Sequence, residues 1–403
     1  MMTYKQLTCL LLLGAWLQGV SCHRNLHAYQ PGKQLIKETP AIFRAAGEQY
    51  TFLAKHLPAD SFPKTYYEAA ARWENSGSGW WCSGFYPGTL IYLYEQTGDT
   101  ALWKEAQRIM KVLQKEQFNK NTHDLGFMMF CSFGNAQRLA PSEENKQILL
   151  NSARSLASRY SEKVGAIRSW NSKAGDFLVI VDNMMNLELL FWATKVTGDS
   201  SFYRMAVTHA NTTLKHHFRP DNSSYHLVNY HPETGAVQQK RTVQGASDSS
   251  AWARGQGWGL YGYTVMYRET HDPVYLEQAQ KIAGFILDHP NLPSDKIPYW
   301  DFNAPGIPNT RRDASAGALI ASALIELAGY SEKAAAATYL DAAGAMLRSL
   351  ASPAYTAPYG ENGGFLLRHS VGHLPARSEV DVPLTYADYY YVEALSRYQD
   401  PGR

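Results

Sequence analysis

Apolar residues along this chain fall in a pattern that repeats. From Gly84 the chain runs almost without interruption through Phe85, Tyr86, Leu90, Ile91, Tyr92, Leu93 and Tyr94, turns at Thr97-Gly98-Asp99, and continues into an amphipathic stretch opening on Leu102-Trp103. Asn186 starts a second copy with Leu187, Leu189, Leu190, Phe191 and Trp192, then Thr197-Gly198-Asp199, then Phe202-Tyr203. A third goes from Gly257 through Tyr261 and Tyr263 to Thr270-His271-Asp272, then Tyr275-Leu276. A helix apolar on every side is buried all round, whereas its amphipathic partner can turn a polar stripe to solvent. Repeating that pair predicts an inner and an outer ring. Inner helices are expected to begin near Gly84, Leu125, Asn183, Gly255, Ala314 and Tyr386, and outer ones near Lys33, Thr100, Ser142, Ser200, Pro273 and Glu332. No period-two run is long enough for a central sheet. The expected fold is all-α, an (α/α)6 barrel, a toroid of six inner and six outer helices.

No Pro/Ser-rich linker interrupts the pattern, so residues 23–403 are expected to form a single catalytic domain sharing one core around the ring. Ahead of them, Lys5, the apolar run from Leu10 to Leu17 and Gly19-Val20-Ser21-Cys22 match the three regions of a secretory signal over residues 1–22. Small residues before Cys22 also resemble a lipoprotein box, in which Cys22 would carry a lipid anchor. The chain is therefore expected to be exported, periplasmic or lipid-anchored to a bacterial membrane. No later apolar run reaches spanning length, so no transmembrane helix is expected in the mature chain. The formal charge of +2, without a basic stripe, argues against a nucleic-acid partner. Four cysteines, two of them in the leader, cannot build a disulfide scaffold. Aromatic residues make up 13% of the chain, more than packing alone demands.

Polar and aromatic residues collect just before the inner helices. They are Trp80-Trp81, His123-Asp124, Asp182-Asn183, Trp252-Ala253-Arg254, Arg311-Arg312-Asp313 and Thr385-Tyr386. If the inner helices run parallel, these segments share one rim. Each has a plainer reading by itself: Asp is a favoured N-cap, Arg254 could pair with Asp248 or Asp313, and tryptophan packs walls. Their combination on one rim says more, because capping requires neither Trp nor Arg. Two carboxylates, Asp124 and Asp182, beside an aromatic floor suit acid/base chemistry on a carbohydrate, and Arg254 suits a substrate carboxylate. Zinc-ligand spacing, a P-loop and a dinucleotide fingerprint are all missing from the sequence, so neither metal nor cofactor is expected. Lys173, Lys240, Arg241 and Arg311 could meet sulfate, although solvated surface charge is the simpler account of each.

In this order and spacing, Trp81-Cys82-Ser83-Gly84-Phe85-Tyr86-Pro87-Gly88, Thr122-His123-Asp124-Leu125-Gly126-Phe127, Val181-Asp182-Asn183-Met184-Met185-Asn186, Gln244-Gly245 with Ser247-Asp248, Trp252-Ala253-Arg254-Gly255-Gln256-Gly257-Trp258 and Tyr386-Ala387-Asp388-Tyr389-Tyr390 resemble glycoside hydrolase family 88, the unsaturated glucuronyl hydrolases. The resemblance implies an (α/α)6 barrel acting on glycosaminoglycan oligosaccharides of the heparin, chondroitin or hyaluronan type that end in a Δ4,5-unsaturated uronic acid. It implies hydration of the C4=C5 vinyl ether, with Asp182 as general acid/base and Asp124 as the second essential aspartate. Trp170, His226, Gln244, Arg254 and Trp258 then contact the uronate, Trp81 and Phe85 line the cleft, and His123 and Thr242 also fall at the site. The stretch Glu379-Val380-Asp381-Val382 departs from the Gly-Val-Asp-Glu form of several members. Related family 105 enzymes, which act on unsaturated galacturonyl-rhamnose, are the nearest alternative. A conventional inverting glycosidase and a non-enzymatic sugar-binding toroid are the others.

Overall fold

The computed structural model describes residues 32–400, so the leader and Cys22 lie outside the described residues. Helices α1 to α12 and strands β1 to β9 are numbered in chain order. The outer ring is α1 (Lys33–His56), α3 (Thr100–Leu113), α5 (Glu143–Ala157), α7 (Ser200–His217), α9 (Pro273–Asp288) and α11 (Lys333–Leu350). The inner ring is α2 (Phe85–Thr97), a π-helix (Gly126–Gly134) running into α4 (Asn135–Leu139), then α6 (Leu187–Thr197), α8 (Ala253–Thr270), α10 (Ala314–Ala328) and α12 (Thr385–Gln399). Each inner element touches the next, and α12 returns to α2, closing the circle. The six expected pairs are all there, and the fold is the (α/α)6 barrel. Every residue of α10 is buried, as its small and apolar sequence, broken only by Glu326 near its end, requires.

One local device makes the repeated turn between inner and outer helix. At Thr97-Gly98-Asp99 the threonine hydroxyl donates to the Leu93 carbonyl, Gly98 takes φ 74, and Asp99 accepts from the Ala101 N–H at 2.9 Å. Thr197-Gly198-Asp199 does the same with Ala193 and Ser201. In the third copy His271 occupies the left-handed position at φ 56 and Asp272 caps α9 through Val274. A helix stop and a new N-cap are thus written in three residues.

The strands are short and sit at the rim where the inner helices begin. Two-stranded hairpins are β1 (Phe62–Tyr67) with β2 (Arg72–Ser76), β3 (Tyr160–Ser161) with β4 (Ala166–Ile167), and β8 (Ser370–His373) with β9 (Ser378–Val382). Strands β5 (Phe177–Ile180), β6 (Leu227–Tyr230) and β7 (Val237–Arg241) form a three-stranded antiparallel sheet. These pieces are too small to be a core. They hold the loops of the site. At the opposite end of the barrel a cavity of about 410 Å³ is lined by Tyr92, Glu188, Arg268, Glu393 and Arg397. There Arg268 bonds Glu188 and, at 2.9 Å, Glu326, while Arg397 reaches Glu326 at 3.0 Å. Among the described residues no helix is long and apolar enough to cross a membrane.

Candidate active site

Asp182 opens a 3₁₀ turn (Val181–Asn186) that leads into α6, immediately after β5. Pairing of β5 with β6 sets that position, and the Val181 N–H donates to the His226 carbonyl at 3.0 Å. His226 thereby lies beside Asp182. Its Nδ1 accepts from the Val243 and Gln244 N–H groups at 3.1 and 3.2 Å, so the ring proton sits on Nε2, 3.7 Å from Asp182 Oδ2. Neither Nε2 nor Oδ2 has a hydrogen-bond partner although both are buried. Two polar atoms left open in this way mark a place built for something else to bind.

Burial pushes the Asp182 carboxyl up from 3.8 to about 7. Arg254 pulls against that rise, Asp124 adds to it, and the Trp258 indole N–H opposes it. An acid at that value holds its proton and can also lose it near neutrality. His226 is driven well below its ordinary value, first by burial and then by Arg254, and stays neutral.

Asp124 comes from the turn before the π-helix. The Thr122 hydroxyl donates to its Oδ2 at 2.7 Å, its own N–H donates to Thr122 Oγ1 at 3.1 Å, and His123 Nε2 stands 3.3 Å from Oδ1. Burial lowers His123, with Asp124 opposing. The field of Asp124 on Asp182 places the two carboxylates in one electrostatic unit.

Arg254, in the first turn of α8, is 1% exposed. Its guanidinium meets Asp313 at 3.1 Å, the Val371 carbonyl at 2.6 Å and the Gly372 carbonyl at 2.7 Å. Asp313, which caps α10 through Ser315, is therefore its partner; Asp248 instead accepts from the Thr242 N–H. The expectation that Arg254 meets a substrate carboxylate needs this revision: most of its donors are already spent on the lip made by β8 and β9. Only Nε is without a partner. The Gln244 side chain grips the same Gly372 carbonyl at 3.1 Å. Thr242 makes a turn, its hydroxyl accepting from the Gly245 N–H at 2.8 Å.

The aromatic residues divide by depth. Trp81 and Trp170 are partly exposed, Trp170 standing edge-on to His226 with ring centroids 6.1 Å apart. Phe85 and Trp258 are fully enclosed and do not line the open cleft. Phe85 packs among Trp81, Phe127, Tyr386, Tyr389 and Tyr390, and Trp258 between Phe127 and Tyr390. They are the floor beneath the site. Asp301, which the sequence pattern did not single out, organises the 242–251 loop by accepting from Ala246 N–H and Ser250 Oγ. Of the four cations considered for sulfate, Arg311 is paired with Asp381 at 2.7 Å and Lys240 lies over the Tyr225 ring. Among the described residues no group of three or more His, Cys, Asp or Glu could hold a metal.

Comparison with known proteins agrees with this geometry. The family model described as Glycosyl Hydrolase Family 88 matches residues 53–402. An unsaturated glucuronyl hydrolase of Formosa agariphila is 44% identical over 387 residues, 93% of this chain and 95% of that protein. An unsaturated chondroitin disaccharide hydrolase of Streptococcus pyogenes is 34% identical over 325 residues, 79% of this chain and 81% of the other. Among solved structures, an unsaturated glucuronyl hydrolase specific for heparin superposes with a TM-score of 0.87 at 45% identity, covering 91% of this chain and 97% of that one. With the barrel, the paired aspartates and these matches in agreement, the chain belongs to glycoside hydrolase family 88.

Proposed function

We propose that the enzyme removes the Δ4,5-unsaturated uronic acid from the non-reducing end of glycosaminoglycan oligosaccharides by hydrating its C4=C5 bond. The observation that carries this reading is Asp182, a buried carboxyl raised to about 7 whose Oδ2 is left without a partner beside the His226 N–H. The names of the relatives, unsaturated glucuronyl hydrolase and unsaturated chondroitin disaccharide hydrolase, support the substrate class.

In this reading protonated Asp182 gives its proton to C4, and the C4=C5 electrons form the new C–H bond. The positive charge left at C5 is shared with the ring oxygen. Water attacks C5, and Asp182, now a carboxylate, takes its proton. The hemiketal then opens: the C5–O5 bond breaks, C5 becomes a ketone, and the hemiacetal formed at C1 releases the partner sugar as an alcohol. One water is consumed, and Asp182 ends protonated as it began. Asp124, oriented by Thr122 and His123, faces the developing positive charge. The neutral His226 offers its Nε2–H to the substrate or to Asp182, and Trp81 and Trp170 supply stacking faces for the sugar. Export, with or without lipidation of Cys22, belongs to the same proposal and rests on the leader sequence alone.

The test places a saturated and an unsaturated disaccharide side by side. The hydration mechanism abolishes the absorbance of the conjugated uronate and leaves the saturated substrate intact. Cleavage of the saturated disaccharide would instead indicate a conventional inverting glycosidase, and binding without loss of absorbance a sugar-binding protein.

A further inference from the structure

Beneath the aromatic floor the ring does not close. The cavity of about 410 Å³ at the far end of the barrel has the size of a small-molecule site, roughly 300 to 1,000 Å³, rather than of a packing defect. Its walls come from α2, the π-helix, α4, α6, α8 and α12. Phe127 and Tyr390 line it and also pack against Trp258, so the floor of the catalytic cleft is the roof of this second space.

Charged groups in the wall satisfy one another. Arg268 bonds Glu188 and meets Glu326 at 2.9 Å, and Arg397 meets Glu326 at 3.0 Å. Glu393 accepts from the hydroxyls of Ser322 at 2.6 Å, Tyr261 at 3.0 Å and Tyr92 at 3.2 Å. Arg138 holds Glu95 through two bonds of 2.8 Å each. A charged ligand would give up its hydration here without finding an opposite charge of its own, so the wall suits a neutral one.

What the wall leaves open is a hydroxyl and two aromatic rings. Tyr390 is 1% exposed, and its hydroxyl has no hydrogen-bond partner. The titrating groups that act on it electrostatically, Cys131, Tyr261, Glu393 and Glu188, all line the cavity, which means that the hydroxyl is turned into it. Buried hydroxyls are rarely left unpaired, and this one can both donate and accept. Phe130 and Trp192, also in the lining, are partly exposed, their ring centroids 6.4 Å apart at 62°. Aromatic planes beside hydroxyl, amide and ionic groups match a sugar, whose C–H faces stack while its hydroxyls bond in either sense.

We propose that this cavity is a second, non-catalytic binding site, for a neutral polyol of monosaccharide size. The ligand completes the hydrogen bonding of Tyr390 and stacks on Trp192. This reading takes nothing from the hydration reaction, and neither falls with the other.

Saturation-transfer NMR with glucose as the probe tests it. Glucose binds the wild type saturably with a Kd of about a millimolar, and glucosamine, which carries a charge below about pH 7, binds more weakly. Tyr390→Phe keeps the ring and removes a hydroxyl that bonds nothing in the protein, so the fold is retained while glucose affinity falls about threefold to tenfold. Trp192→Ala removes the stacking face and abolishes the saturable signal. Circular dichroism accompanies both variants, and Tyr390→Phe alone carries the test if Trp192→Ala misfolds. Crystals soaked in glucose place the sugar between Trp192 and Tyr390. No saturable binding up to about 50 mM, or a Kd in Tyr390→Phe within about 1.5-fold of the wild-type value, overturns the inference, since the space then holds only water or the probe sits elsewhere. Tighter binding of glucosamine than of glucose overturns the assignment of a neutral ligand.

Discussion

Replacing Asp182 by Asn tests the acid/base assignment most directly, because the same group controls two separate observables. Burial raises its carboxyl from 3.8 to about 7, which costs the charged form about 4 kcal/mol. Unshifted, only about one molecule in a thousand would hold the proton at pH 7; shifted, about half do. The wild-type kcat/KM is therefore expected to fall as pH rises through about 7, as the acid is lost. A bound uronate adds a negative charge nearby and raises Asp182 further, so the limb in kcat lies above the limb in kcat/KM. Asp182→Asn keeps the size of the side chain and lowers turnover by at least about a hundredfold at every pH. Stability supplies the second observable. The folded state binds the proton more tightly than the unfolded state, so this group's contribution favours folding at low pH and is lost progressively between about pH 4 and pH 7. Denaturant unfolding should therefore show Asp182→Asn gaining on the wild type across that window and holding its advantage above it. The reasoning is refuted if the variant keeps more than about a tenth of the wild-type rate, or if the two proteins show parallel stability from pH 4 to pH 8.

Trp258→Phe removes an N–H that opposes the rise of Asp182, so the alkaline limb of kcat/KM should move to higher pH; a downward shift contradicts the assignment. Gly84→Ala puts a Cβ against the Phe127 and Met128 carbonyls of the neighbouring inner element, backbone atoms that cannot swing aside as a side chain can. A loss of about 3 kcal/mol or more in urea unfolding is expected. Arg268→Met strips the cation from Glu188 and Glu326 at the far end of the barrel. Arg397 still holds Glu326, so the substitution should lower stability by about 1–3 kcal/mol while leaving the pH limb of the remaining activity in place.

The ring was legible because each inner helix is a continuous apolar run and each turn is written in three consecutive residues, such as Thr197-Gly198-Asp199. Both signals are local. The π-helix from Gly126 to Gly134 was not legible, since its wider turn answers to packing against α2 and α6 rather than to any residue preference of its own. Arg254 shows a second limit. Its carbonyl partners come from Val371 and Gly372, more than a hundred residues away, and sequence neighbours carry no trace of them. The family resemblance puts Phe85 in the cleft wall and Trp258 against the uronate, whereas both are fully enclosed. A barrel has depth as well as a rim, and a residue one turn into α8 already lies below the mouth.

A shifted carboxyl is not by itself a catalyst, as a second aspartate of this chain makes clear. Asp388, in the first turn of α12, is buried and raised to about 7 by the same desolvation. By titration alone it cannot be told from Asp182. Geometry separates them. Asp388 accepts from the Leu366 and Leu367 N–H groups at 2.9 Å each and from the Tyr50 hydroxyl at 3.1 Å, which ties the 365–367 segment to α1 and α12. Both of its oxygens are engaged by the protein's own donors, so neither is left open toward a substrate. Asp182 keeps Oδ2 free of any such bond and has the His226 N–H and the second carboxylate of Asp124 beside it. Asp388→Asn should accordingly change the dependence of stability on pH between about 4 and 7 while the alkaline limb of kcat/KM stays where it is. A shift of that limb in Asp388→Asn would mean that the titrating acid had been placed on the wrong side of the barrel wall.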